Sequence, residues 1–261
     1  MPEDKRKFTI DTYFEVQADA DLTKHMGSYS VMDELIQLTG ISRDSYVLDV
    51  GCGVGIFAAY VAQQTGCRVM GVDIREPMVQ RGIQRAQREK LESLLQFRVA
   101  DAMDLPFQPA EFDVVLCESV NVFVPDLKKA FSEYYRVLTH AGRLGVTESL
   151  WRQKPSAELL EYIRSDMPIL GEVLTAEQWQ ACLQDAGFVE IIARTYDVDV
   201  KQEMSEQVKH IGVGGILRAS LRGLGKAFTN QKYRDFYKTA AQLPPELQKV
   251  IGYGVFVGKK P

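Results

Sequence analysis

Val47 to Gly55 reads VLDVGCGVG, a short apolar run interrupted by one acid, Asp49, and followed by glycines at 51, 53 and 55. This is the pattern of a strand feeding a nucleotide-binding turn. Glycine serves such a turn because the backbone must bend sharply and admit a ligand where a Cβ would clash, while the next helix points its first N–H groups at that ligand. About 20 residues after the turn, a second apolar run, CRVMGVD, ends at Asp73, where doubly wound folds place a carboxylate that grips ribose hydroxyls.

Two residues narrow the ligand. A dinucleotide fingerprint, G-x-G-x-x-G, asks for glycine or alanine at position 56, and Ile56 stands there, which argues against a pyrophosphate. Asp49 lies two residues before the first glycine, and a carboxylate there suits a cationic group such as an amino acid's ammonium better than phosphates. The spacing D-x-G-x-G-x-G through Asp49, Gly51, Gly53 and Gly55 resembles that of the class I S-adenosylmethionine-dependent methyltransferases. The likeness runs from about His25 to Glu148 and is strongest toward the small-molecule group that includes quinone and sterol C-methyltransferases. The competing reading is a plain helix-capping turn.

The resemblance implies S-adenosylmethionine as cofactor and distributes roles over matching residues; no metal is expected, since only Asn121 hints at the carboxylate and amide cluster a divalent cation would want at the strand ends. Gly51 and Gly53, with Cys52 between them, would face the methionine part, and Asp49 its ammonium through the loop or a water. Asp73 would accept from both ribose hydroxyls and Ile74 would pack on the adenine. In VADAMDLPF, Asp101 would accept from the adenine amino group, with Ala102 and Met103 adding backbone and apolar contacts. The backbone beside Glu118 would hold the methionine ammonium, and its side chain would face the methyl-transfer pocket as a candidate general base. A second candidate base is His25 in KHMG, an H-x-G element with Gly27; an unperturbed histidine titrates at about 6.5. Tyr13 and Tyr29 would close the pocket, since aromatic faces suit a sulfonium. Duller readings stay open: an Asx turn for Asp101, a helix-capping acid for Asp73, a carboxylate that only polarises the cofactor for Glu118, a capping or structural His25, and core packing for the tyrosines.

These residues need a scaffold that brings them to one rim. Apolar runs alternate with helical patterns from Tyr46 to Glu148, which predicts βαβ units and a parallel sheet: strands near 46–50, 67–72, 95–99, 112–117 and 142–148, helices near 55–65, 76–90 and 126–138. Right-handed crossovers put the carboxyl ends of these strands together, so Asp49, Asp73, Asp101 and Glu118 gather at one crevice. Beyond Trp151 come two helical stretches, the second with Thr175 as N-cap and Gly187 as stop, then a strand near 188–196 and a last strand from Ile251. With the resemblance, this gives an α/β class, doubly wound and Rossmann-like: a seven-stranded, mostly parallel sheet with an antiparallel last strand. Residues 1–261 read as one methyltransferase domain, with an N-terminal helical cap over 1–44, a cofactor-binding core over 45–150 and a helical insertion or lid over 197–248.

Composition bounds the rest. Hydrophobic content of 46%, charged content of 25% and a net charge of -4 are those of a water-soluble protein with no general attraction for nucleic acid. FDVVLCESVNVFVPD has Glu118, Ser119, Val120 and Asn121 where relatives that methylate base or glutamine amino groups carry N/D-P-P-Y/F, which also argues against nucleic acid. The four cysteines, Cys52, Cys67, Cys117 and Cys182, form no C-x-x-C pair and read as reduced thiols in a cytoplasmic protein. The first 14 residues lack an apolar signal core, and no run reaches the roughly 18 apolar residues of a membrane span.

Methyl transfer from a sulfonium is an in-line displacement that needs positioning and dryness more than side-chain chemistry. The acceptor is therefore read from the caps. Phe123, Trp151, Tyr162, Met167, Ile169, Leu170, Trp179 and Phe228 are candidate lid residues that favour a lipophilic or aromatic small molecule, with core packing as the alternative. Residues 211–228 form a basic amphipathic pattern broken by glycines, which fits a pocket cap, a contact with a membrane surface or a homo-oligomer contact. A non-catalytic S-adenosylmethionine sensor or partner subunit is the other function class.

Overall fold

Period-2 alternation of apolar residues builds the centre of the molecule. In β1 (Tyr46–Val50), Val47 packs into one layer while Leu48 and Val50 pack into the other, and in β4 (Phe112–Glu118) Val114 and Leu116 part from Val115 and Cys117 in the same way. Strands buried on both faces are the signature of a sheet covered by helices on each side. The computed structural model describes residues 9–20, 28–166, 172–242 and 244–261. His25, Gly27, Met167, Ile169 and Leu170 lie outside the described residues.

The other strands are β2 (Arg68–Asp73), β3 (Leu95–Val99), β5 (Leu138–Trp151), β6 (Val189–Asp197) and β7 (Ile251–Lys259), and the seven form one sheet in the order β3-β2-β1-β4-β5-β7-β6. The β1, β2, β3, β4 and β5 pairings are parallel, and β7 runs antiparallel to both of its neighbours. One helical layer includes α2 (Ser28–Thr39) and α3 (Ile56–Thr65), which bury Leu35 and Phe57; the opposite layer includes α5 (Leu127–Val137) and α7 (Ala176–Asp185), which bury Phe131, Tyr134 and Trp179. Helix α7 starts at a capping box between Thr175 and Gln178, the arrangement that satisfies two otherwise orphaned N–H groups.

β5 is longer than the expected 142–148. It starts at Leu138 because Ala141, at φ +62, and the register shift against β4 carry the ladder through an irregularity ahead of the expected first residue. The remaining helices are α1 (Ile10–Ala20), α4 (Glu76–Glu89), α6 (Ala157–Asp166), α8 (Val200–Thr229), α9 (Gln231–Ala241) and α10 (Pro245–Val250). β1 and β4 are neighbours, yet the chain leaves β1 toward β2 and leaves β4 toward β5. This reversal opens a crevice outside their carboxyl ends.

Candidate functional site

The glycine loop after β1 turns back on β2: the N–H groups of Gly51 and Cys52 both donate to the Val72 carbonyl, at 2.7 and 2.9 Å. Gly51 has φ +71, and a Cβ there would lie 2.2 Å from Val120 Cγ2. Both the left-handed backbone and the close approach therefore require glycine. Gly55, at φ +77, stands at the N-cap position of α3 with no side-chain cap.

The Asp73 carboxylate clamps this loop. One oxygen accepts from the Gly53 N–H at 3.1 Å and the other from the Arg75 N–H at 2.9 Å. Burial pushes its pKa up, and the two backbone donors oppose that shift. Each oxygen keeps a second lone pair. Asp101 likewise spends one oxygen on the Met103 N–H at 2.8 Å, an Asx turn at the end of the β3 segment. The Asx turn read for Asp101 is thus present, whereas Asp73 takes the N–H of Arg75, the N-cap residue of the following helix, which has no side-chain cap.

Gly51, Gly53, Asp73, Ile74, Asp101, Ala102, Met103 and Glu118 all line one cavity of about 310 Å³. Asp49, Cys52 and Tyr29 are not among its lining residues. Asp49 is buried at the end of β1. Cys52 is buried beneath the loop with its thiol on the Gly53 carbonyl at 3.7 Å, and burial pushes its pKa well up. The Tyr29 ring stacks on His210 at 3.7 Å and meets Tyr60 edge-on at 5.0 Å. Of the eight expected lid residues, Phe123 lines the cavity. Trp179 is instead core, fully buried with its indole N–H on the Ser149 carbonyl at 3.1 Å; Trp151 and Tyr162 pack with Leu159 and Leu247, away from it; Phe228 is 84% exposed.

The roof of the cavity comes from α1, through Ile10, Tyr13, Phe14 and Gln17. Their i, i+3, i+4, i+7 spacing is an amphipathic signal that was legible in the sequence. The Phe14 ring lies 5.2 Å from Phe123 and carries the Arg75 guanidinium at 4.2 Å. Among its described residues, segment 197–248 contributes none of the cavity's lining. Its helices brace α1 from behind, with Phe236 6.1 Å from Tyr13.

Glu118, 5% exposed, ends β4. The next residue, Ser119, sits at φ +57 with its N–H on the Thr147 carbonyl at 2.7 Å. One oxygen of Glu148 then takes the N–H groups of Val120 at 2.9 Å and Asn121 at 2.6 Å. Glu148 is fully buried, and burial pushes its pKa up to about 8. Asn121 continues the network to Cys117 Sγ at 3.2 Å and accepts from the Tyr134 hydroxyl at 3.1 Å. Glu148 was not singled out as a site residue in the sequence, where an acid inside GVTESL was the available signal.

A methyltransferase-domain family model matches residues 48–146, the stretch that carries the loop, Asp73, Asp101 and Glu118. The chain carries a class I S-adenosylmethionine-dependent methyltransferase domain. An uncharacterized protein of Haemophilus influenzae is 28% identical over 82% of this chain and 85% of its own length. Sterol 24-C-methyltransferase erg-4 of Neurospora crassa is 31% identical over 57% of this chain, which spans 41% of that enzyme. Phosphoethanolamine N-methyltransferase 2 of Haemonchus contortus, in complex with S-adenosyl-L-methionine, superposes over 96% of this chain and 57% of its own with a TM-score of 0.74 and 22% identity. The domain's cofactor is S-adenosylmethionine. The cavity chemistry agrees: a glycine cradle that a Cβ would fill, carboxylates for hydroxyl and amino donors, and an acid-lined rim for a cationic ligand.

Proposed function

We propose that this methyltransferase domain transfers the S-adenosylmethionine methyl group to a small lipophilic or aromatic acceptor held between α1 and the end of β4. The observation that carries the reading is the apolar part of the cavity wall: Tyr13, Phe14, Phe123, Val124 and Pro125 line the same cavity as Glu118, and the Tyr13 and Phe14 rings meet Phe123 at 6.0 and 5.2 Å. Such a wall binds apolar surface and keeps water out.

In this reading the free lone pairs of Asp73 take the ribose hydroxyls, Asp101 takes the adenine amino group, and Ile74, 57% exposed at the rim, covers the base. The Gly51–Gly53 backbone and the turn after Glu118 hold the methionine end. Bound S-adenosylmethionine supplies an electrophilic methyl on a sulfonium. The chain's own task is to hold the acceptor atom roughly 3 Å from that methyl, in line with the leaving sulfur. In this reading Glu118, which lines the cavity, takes the acceptor's proton from within hydrogen-bond reach. The sterol 24-C-methyltransferase among the relatives supports a lipophilic acceptor.

The test is a panel of phenols, quinols, sterols, amines and thiols incubated with methyl-labelled S-adenosylmethionine. Label on apolar acceptors is expected. Label confined to small hydrophilic amines would overturn the acceptor class, and tight cofactor binding with no transfer to any acceptor would favour a sensor.

A further inference from the structure

Of the eight strongly exposed large apolar side chains among the described residues, five lie on α8. The helix is interrupted at Gly212, which has φ +73 and ψ 154, so two helical segments meet there at a kink. After the kink, Leu217 is 58% exposed, Leu221 60% and Phe228 84%. At 3.6 residues per turn these three fall within about 40° of one another, along about 16 Å of helix. They form a stripe, and a stripe of this kind on a monomer's surface asks for a partner.

Charge says which partner. The chain as a whole has a net charge of -4, yet residues 211–241 carry six Lys and Arg against one acid, Asp235. Lys232 and Lys238 are exposed on α9. An apolar stripe with a local cationic excess is the composition of a helix that lies in the headgroup region of an anionic bilayer. No helix among the described residues is long and apolar enough to cross a membrane, which leaves the interface as the place for it.

We propose that α8 and α9 dock this protein onto an anionic lipid surface through Leu217, Leu221 and Phe228. The helix pair sits on the far side of the cavity roof. Asp19 of α1 joins Lys226 of α8 and the Tyr233 hydroxyl of α9, and Tyr13, which lines the cavity, leans on Phe236. Docking therefore brings the roof, and with it the cavity, against the lipid, where an apolar small molecule is concentrated. The proposal goes beyond the acceptor assignment and does not rest on it, because vesicle binding is read without any methyl transfer.

The experiment is co-sedimentation of the full chain with sucrose-loaded vesicles, either phosphatidylcholine alone or with about one-third phosphatidylserine. Binding to the anionic vesicles is expected, weakening as salt screens the charges. Leu221→Glu with Phe228→Glu should lower the partition coefficient at least tenfold and leave S-adenosylmethionine affinity unchanged by calorimetry, since neither residue lines the cavity. Lys232→Glu with Lys238→Glu should remove the preference for phosphatidylserine. A protein that stays in the supernatant with both vesicles overturns the proposal. So does a dimer by light scattering that the Leu221→Glu, Phe228→Glu variant dissociates, because the stripe would then belong to a second copy.

Discussion

Glu148 accepts the backbone N–H of Asn121 at 2.6 Å, and the same oxygen takes the N–H of Val120, a cavity-lining residue, at 2.9 Å. Val120 in turn presses its side chain into the space that glycine leaves at position 51. One buried carboxyl at the end of β5 thus sets the position of the loop after β4 and, through Val120, packs against the glycine loop after β1.

Glu148→Gln tests that grip by pH. Its pKa is about 8 in the fold against an ordinary 4.5, so between these values the folded state holds a proton that the unfolded chain has released. Stability from this group is therefore greatest at low pH and falls as pH rises through the window, with the loss complete above about 8. In Glu148→Gln, whose amide oxygen can still accept both N–H groups, thermal melts from about pH 5 to 8.5 should lose that downward slope. Glu148→Ala should instead weaken S-adenosylmethionine binding at every pH. Parallel slopes for wild type and Glu148→Gln would show that the group does not titrate there.

Asp73→Ala removes the carboxylate that clamps Gly53 and faces the cavity. Loss of hydrogen bonds to a charged acceptor costs about 1.5–3 kcal/mol, at least tenfold in affinity. Unchanged calorimetric binding of S-adenosylmethionine would remove Asp73 from the cofactor site.

Gly51→Ala and Gly40→Ala separate two costs of a side chain. Both glycines have similar positive φ, +71 and +69, but a Cβ at Gly40 meets nothing within 4 Å while one at Gly51 runs into Val120. The backbone term is about 1 kcal/mol or more in each. Gly51→Ala should lose a further 1–3 kcal/mol or so for overpacking and also bind the cofactor less well. Equal melting temperatures for the two variants would contradict the Val120 contact.

Glu118→Gln should lower turnover strongly, with little change in cofactor affinity, when the acceptor has a proton to remove. Equal losses in both would confine Glu118 to the cofactor site.

Phe123→Ala and Trp179→Ala were equivalent expectations in the sequence and should now diverge. Truncating the fully buried Trp179 should cost about 3–5 kcal/mol of stability, read by denaturant unfolding. Phe123→Ala should instead raise the acceptor KM with smaller loss of stability. A reversed pattern would move the acceptor wall elsewhere.

The parallel sheet and the cofactor rim were legible because each depends on short-range order. Alternation at period 2 marks the strands, glycine at 51, 53 and 55 marks a turn that no side chain fits, and successive strand ends bring Asp73, Asp101 and Glu118 to one rim whatever the caps do. Glu148 was illegible as a loop anchor, since its partners Val120 and Asn121 lie 28 and 27 residues away in sequence and meet it only once β4 and β5 pair. The same holds for the large aromatics: Trp179 and Phe123 have the same apolar chemistry, and the packing of α7 on the sheet decided that one is core and the other pocket wall. Local sequence specifies which backbone a segment adopts. Which surfaces those segments bury against each other is a long-range choice, and the roof over the cavity, formed by α1 and braced by α8 and α9, belongs to that choice.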